Sequence, residues 1–532
     1  MQIRKISQLV CSYLVCKKLI PGYIGKILML MALISAISVA YGDDYDWDGT
    51  SGNNWDTAHW VPRGGGTKVD TPFTTAGHDA YVASGNTIMT SAEFMSTLHL
   101  MPGGTLWLPN AKNGTNNIVW SGGTIRKDGS GDTPVNGTIM VATDSYYVNS
   151  GGGGSTINAV ISGSADIILT NIIDTGIMKI TADNSNYSGN WVVKSGRLQF
   201  NATKAVGSGK VVLENSGVLA LDANVTLDNL IEAGSGSIVK LFNGRNVTLN
   251  NLKLDGSQIE YIASGSGTIN GNINVVSPSI LHAPGTGDWK LDAKITGIKP
   301  LVKTGSAIVY TSGDNSGFSG GWRIEAGQLA FNNNDALGIS KVHVKNGGTL
   351  WLNEKRDWVL TNDVDCAGLI RVGLSGSSNS RNNKLTFRGV KVRPGFDNGC
   401  GKLTIDNGYV GSKVDAAFDN PDSKNCTLAI DVVGTDEVVG VDYSQLFVTK
   451  GLLSDLAKAD LVVNVAPSLK SEADELADQE LVIVSSPNGG VQSGTFNSVT
   501  VNDGWKAQVI YESTAIKIKL SYTAPGTVLM IM

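Results

Sequence analysis

Residues 314–353, DNSGFSGGWRIEAGQLAFNNNDALGISKVHVKNGGTLWLN, repeat an earlier stretch of the same chain. An ungapped shift of 131 positions lays them on residues 183–222, DNSNYSGNWVVKSGRLQFNATKAVGSGKVVLENSGVLALD, with 18 of 40 paired positions identical. The shared positions include Trp191/Trp322, Gly196/Gly327, Leu198/Leu329, Phe200/Phe331, Gly207/Gly338, Gly217/Gly348, Leu219/Leu350 and Leu221/Leu352. A shorter echo, LHLMPGGTLWL at 98–108, matches VHVKNGGTLWL at 342–352. Each unit reads as two short strands of alternating apolar residues about a Gly or Asn-Gly turn, where the backbone needs positive φ. Such a unit cannot shelter its apolar side alone, but it can when stacked on copies of itself. Strands this short, with no helical spacing between them, predict coils of a parallel β-solenoid rather than a βαβ fold.

The pattern N-x-(Y/F)-S-G-x-W-x-(V/I)-x-x-G-x-L-x-F, then A-(V/L)-G, then N-x-G-x-L-x-L, resembles the autotransporter-associated β-strand repeat of large bacterial surface and secreted proteins. The resemblance implies a right-handed parallel β-helix with a passenger-type role in adhesion, surface display or matrix. The Trp-rich segment 43–80 is similar to the W-x-G…W…W opening of such proteins, and Lys303-Thr304-Gly305 to the Lys-x-Gly lead into their repeats. Residues 392–408, VRPGFDNGCGKLTIDNG, resemble the coil that follows them. The expectation is a passenger-like protein without the C-terminal membrane barrel of this family, which needs about ten residues per strand over many strands.

The expected organisation is a signal peptide at 1–42, a Trp-rich N-terminal cap at 43–80, and a β-helix at 81–426 with repeats at 183–222 and 314–353. A C-terminal closing segment of longer strands follows at 427–520, then a tail at 521–532. The leader carries Arg4, Lys5, Lys17, Lys18 and Lys26 and the apolar run ILMLMALISAISVA at 27–40, short for a membrane span. Cleavage is expected after Ala40 or Gly42, with no integral membrane domain remaining and an extracellular or outer-surface destination. At ~22–25 residues per coil and ~4.8 Å per rung, the mature chain would extend on the order of 100 Å. The SGGGGS block at 150–155 reads as a protruding turn, and 467–480 as a short helix or a solvated loop.

Composition narrows the function. Without the leader, 37 basic residues face 47 acidic ones, which argues against nucleic acid and against anionic membrane surfaces. Cys366, Cys400 and Cys426 are odd in number, leaving one bridge plus a free thiol or three buried thiols, and no CxxC suggests zinc. Asp44, Asp46 and Asp48 form a D-x-D-x-D-G run, the start of a calcium loop, but Trp55 stands where a bidentate Glu is wanted, so the run reads as a solvated acidic turn. The five His (His59, His78, His99, His282, His343) show no i, i+4 ligand spacing, and none is expected to lie beside a promising carboxylate. No catalytic, cofactor or metal residue is assigned.

The expected function is therefore a non-enzymatic structural or adhesin-like protein, with surface glycans or other cell-surface proteins as partners. The alternative is a polysaccharide-binding or polysaccharide-degrading β-helix. Its candidate acids are Asp363/Asp365 and Asp436/Glu437, with Arg371 and Arg393 as cations, all read as scattered. For a lectin-like surface the Trp residues are the candidate platforms, but Trp107 and Trp351 alternate with Leu as structural residues would.

Overall fold

The computed structural model describes residues 44–523, except 49–52, 55–59, 64–78, 84–86, 90–96, 109–113, 172–175, 263, 375–381, 398 and 408–411. The leader and tail, His59 and His78 lie outside the described residues. The chain is a β-solenoid with 56% strand and 6% helix, and its strands pair almost wholly in parallel, coil upon coil. The repeat residues stack as their periodicity requires: Leu198 is the register partner of Leu219, and Leu329 of Leu350. Apolar side chains alternate into one continuous buried column that runs from Tyr45 to Leu520.

Antiparallel pairing closes both ends. Tyr45–Trp47 pairs with Trp60–Pro62 and also lies parallel to Asp79–Val82, so the Trp47 and Trp60 rings meet at 4.8 Å over the first coil. At the other end, Leu481–Ser485 and Trp505–Tyr511 both run antiparallel to Ala515–Tyr522. A 3-10 turn, Pro467–Glu472, and a short helix, Ala473–Ala477, occupy the acidic segment, with Leu469 and Leu476 buried. No helix among the described residues is long and apolar enough to cross a membrane.

The repeat is a folding module. Asn184 accepts the Ile161 N–H at 2.8 Å and donates to the Ala205 carbonyl at 2.8 Å, and Asn315 does the same for Ile295 at 2.6 Å and Ala336 at 2.8 Å. Trp191 and Trp322 each donate Nε1–H at 2.8 Å, to the carbonyls of Val206 and Leu337. Each indole sits edge-on between two rings, Tyr187 and Phe200 or Phe318 and Phe331. All of these equivalents except Ile161/Ile295 are 131 residues apart, so the recurring residues fix a bend, a short 3-10 turn and a strand in the same geometry twice.

Stacked asparagines tie the coils together elsewhere. The Asn149 N–H reaches Asn171 Oδ1 at 2.8 Å, while both side-chain amides donate to turn carbonyls, Gly153 and Gly176. Lys303, fully buried, donates Nζ–H to the carbonyls of Thr304 at 2.9 Å, Gly305 at 2.7 Å and Ala326 at 3.2 Å. Burial pushes its ammonium down to about 8.

The glycine block at 150–155 does not protrude. It lies flat on the coil beneath, and a Cβ on Gly151 would sit 2.2 Å from both the nitrogen and the carbonyl oxygen of Gly129. Glycine here allows backbone to rest on backbone, a contact that composition alone cannot separate from a flexible loop. Gly152, one residue on, has nothing within 4 Å of the same position. Gly151→Ala is expected to cost about 1–3 kcal/mol by overpacking, and Gly152→Ala to fall within about 0.5 kcal/mol of the parent. Chemical denaturation of the two variants side by side checks this; equal behaviour would contradict the stacked turn.

Candidate functional site

The charged residues of the 314–431 region converge. In the strand Trp322–Ile324, Trp322 and Ile324 face the core and Arg323 faces outward. The register then places His343 beside Arg323, Asp365 beside His343, and Arg393 beside Asp365. These side chains form one outward row across four successive rungs. Lys341 Nζ reaches Asp365 Oδ2 at 2.5 Å, and Arg393 Nε reaches Asp431 Oδ2 at 2.6 Å. Asp431 Oδ1 also accepts from Asn464 at 2.9 Å.

A hairpin lies along the row. The register step lengthens from 22 residues (His343 to Asp365) to 28 (Asp365 to Arg393), and to 36 between Val392 and Leu428. The extra length includes an antiparallel hairpin, Gly395–Phe396 with Gly399–Cys400, that reaches back to Arg323. Arg323 grips Asp397 with both terminal nitrogens, Nη1 at 2.8 Å and Nη2 at 2.5 Å, and its guanidinium lies 4.4 Å from the Phe396 ring centre. Phe396 also stands edge-on to His343 at 6.4 Å. Arg323 holds the Asp397 carboxyl below the usual carboxylate range, and burial lowers the His343 imidazole below its ordinary value.

The expectation that no His has a carboxylate beside it is corrected for two of the five His, and of the candidate acids and cations only Asp365 and Arg393 come together. His343 Nδ1 is 3.6 Å from Asp365 Oδ2, and His99 Nε2 is 3.3 Å from Asp79 Oδ2 while stacking on Tyr81. Both partners lie one coil away, 22 and 20 residues distant, where no local motif shows them. The readable signal is the shared slot of His99 and His343 combined with the coil period.

The other candidates stay apart from this row. Asp363 Oδ1 accepts the Lys391 N–H at 2.8 Å. Asp436 and Glu437 belong to a separate excursion, pinned where Asp442 Oδ2 accepts the Val438 N–H and Gln479 donates to the Thr435 carbonyl. Arg371 lies on another face, 4.8 Å over the Trp351 ring. Trp351 is on the outer side of its strand, yet Arg371 and Tyr310 cover it and its Nε1–H bonds the Gly373 carbonyl at 2.6 Å, so it offers no open platform. Asp46 is engaged by Arg63 at 2.9 Å, and among the described residues no group of three metal-ligating side chains converges.

Beside the hairpin opens a groove of about 650 Å³, lined by Gly348, Thr349, Gly368, Cys400, Lys402 and Val441 among others. Cys366, Cys400 and Cys426 are all free thiols. Burial pushes Cys366 up to about 12 and Cys400 to about 11, and the Cys400 thiol donates to the Asp431 carbonyl at 3.2 Å, so neither is a thiolate nucleophile at neutral pH. Compared with known protein families and with curated proteins, the chain matches none.

Proposed function

We propose that this chain is an exported, non-enzymatic structural or adhesin-like solenoid of the autotransporter-associated repeat type, displayed at or beyond the cell surface. The observation that supports the reading is how the repeated residues are used. Asn184/Asn315, Trp191/Trp322 and Phe200/Phe331 are all engaged in hydrogen bonds or ring contacts within their own and adjoining coils. What the chain duplicates is architecture, and its variable outward rows are left to make many weak contacts. Surface glycans and cell-surface proteins are the partners such a long polar face suits.

The groove next to the charged row supports a second reading, a polysaccharide-binding or polysaccharide-degrading solenoid. Fractionation and surface labelling of the native cell, with a polysaccharide panel on the purified protein, separate the two. Surface labelling without turnover is expected. Turnover abolished by Asp365→Asn, or a wholly cytoplasmic protein, would overturn the proposal.

A further inference from the structure

We infer that the groove beside Lys402 is a binding site for one strand of an acidic polysaccharide. The inference deepens the glycan-partner part of the functional reading above and rests on it.

Missing side chains open the groove. Gly348, Gly368 and Gly401 stand at one corner of three successive coils. Each rests directly on the coil beneath. A Cβ would meet the Ile324 carbonyl oxygen at 2.8 Å, the Gly348 carbonyl oxygen at 2.5 Å and the Ala367 Cβ at 2.6 Å. Only glycine allows so close an approach, and it leaves the corner bare. One wall is the segment 439–441, where Val441 is 63% exposed. The floor is an outward row of Thr349, Leu369 and Thr404, one residue per rung. Two hydroxyl side chains thus stand two rungs, about 10 Å, apart.

The charges are sparse and of one sign. None of the described residues lining the groove is acidic. Among the described residues Lys402 pairs with no carboxylate, and its ammonium lies 3.9 Å from the Phe447 ring centre. Lys345, next to the lining residue Asn346, is its counterpart two rungs below: Ala367 follows Lys345 in register, and Gly401 packs on Ala367. Lys345 also faces Asp397. Asp442, beside the wall residue Val441, is buried and accepts the Val438 N–H at 2.8 Å instead of lining the groove. Asp436 and Glu437 lie further along that excursion, outside the lining.

An occupant must therefore be slender, carry anionic groups about two rungs apart and offer hydroxyls to the threonines. A polysaccharide with one acidic group on every second sugar meets all three demands, because an extended sugar residue is close to one rung, ~4.8 Å, in length. Lys402, positioned over Phe447, supplies the charge-assisted contact. Thr349, Thr404 and Asn346 supply hydroxyl and amide partners. A nucleic acid strand fits poorly: it carries a phosphate every ~3.4 Å and calls for a denser row of cations.

Calorimetric titration of the full-length protein tests this. The probes are hyaluronate, with one carboxylate per disaccharide; dextran, which is uncharged; and oligothymidylate, a phosphate polymer. Saturable binding of hyaluronate alone is expected. Lys402→Glu should weaken it about tenfold or more, as loss of a hydrogen bond to a charged group does. Lys402→Arg should retain it. Lys290→Glu makes the same charge change at an exposed position outside the groove and should leave binding unchanged. Thermal unfolding of all three variants is expected to match the parent, since both lysines are exposed. Absence of hyaluronate binding, equal binding of dextran, tighter binding of oligothymidylate, or equal weakening by Lys402→Glu and Lys290→Glu overturns the site. Hyaluronate binding that Lys402→Glu leaves intact overturns the site while the glycan-partner reading stands. Turnover of hyaluronate that Lys402→Glu abolishes supports the site and overturns the non-enzymatic reading.

Discussion

Trp322→Ala is expected to destabilise the protein by about 3–5 kcal/mol, with the loss concentrated in the coils around 315–352. The indole is fully buried and lies edge-on to Phe318 at 5.3 Å and Phe331 at 5.4 Å. It stacks between Leu301 below and Val342 above, and it donates to the Leu337 carbonyl at 2.8 Å. One side chain thus joins the bend, the strand and the 3-10 turn Asp335–Leu337. Removing it leaves a cavity that two rings and a paired backbone cannot collapse into. Because each coil touches only its neighbours, the damage stays local. Trp322→Phe separates the contributions: it keeps most ring contact and gives up one hydrogen bond, about 1 kcal/mol. Denaturant unfolding of the two variants provides the measurement. A cost for Trp322→Ala no larger than for Trp322→Phe would mean that the ring is not the keystone of the module. Trp191→Ala should behave alike, since its ring contacts at 5.3 and 5.4 Å and its 2.8 Å bond to Val206 reproduce the same geometry.

The parts of the fold that could be read in the residues are those set by local pattern. Alternation assigns Leu198, Leu219, Leu329 and Leu350 to the core, and the stacking of one repeat on the next follows from it. The Lys303-Thr304-Gly305 lead is also a local device, because Lys303 binds carbonyls of its own turn. What could not be read depends on how far the chain travels between rungs. Arg323 meets Asp397 across 74 residues and Asp365 meets Arg393 across 28, because an irregular coil precedes each contact. No periodicity fixes the length of such an excursion. Trp351 shows the same limit on a smaller scale: alternation with Leu marks it as structural, but only the register with Arg371 and Tyr310 reveals that it lies on the outer side and is covered there.

The row of charges also makes a strong prediction about stability. Arg393→Met should cost about 3–5 kcal/mol, more than any exposed ion pair in the chain, because it strands a buried anion. Arg393 is 9% exposed and Asp431 6%, and their 2.6 Å contact is made where water cannot replace the lost partner. Asp365, at 3%, is the register neighbour of Arg393, so the substitution leaves two buried carboxylates near one another with one fewer cation. The aliphatic stem of Met keeps most of the packing, so the loss reports charge rather than volume. Adding Asp431→Asn to Arg393→Met should recover most of it: the second change removes the uncompensated charge and keeps an oxygen for the Asn464 amide, which now bonds Asp431 at 2.9 Å. The contrast between single and double variants in equilibrium unfolding is the decisive quantity. If the double variant is as unstable as the single one, the row is held by packing and its charges are incidental. If stability returns, the charges constrain which surface the solenoid presents, because any substitution in the row must be balanced one rung away.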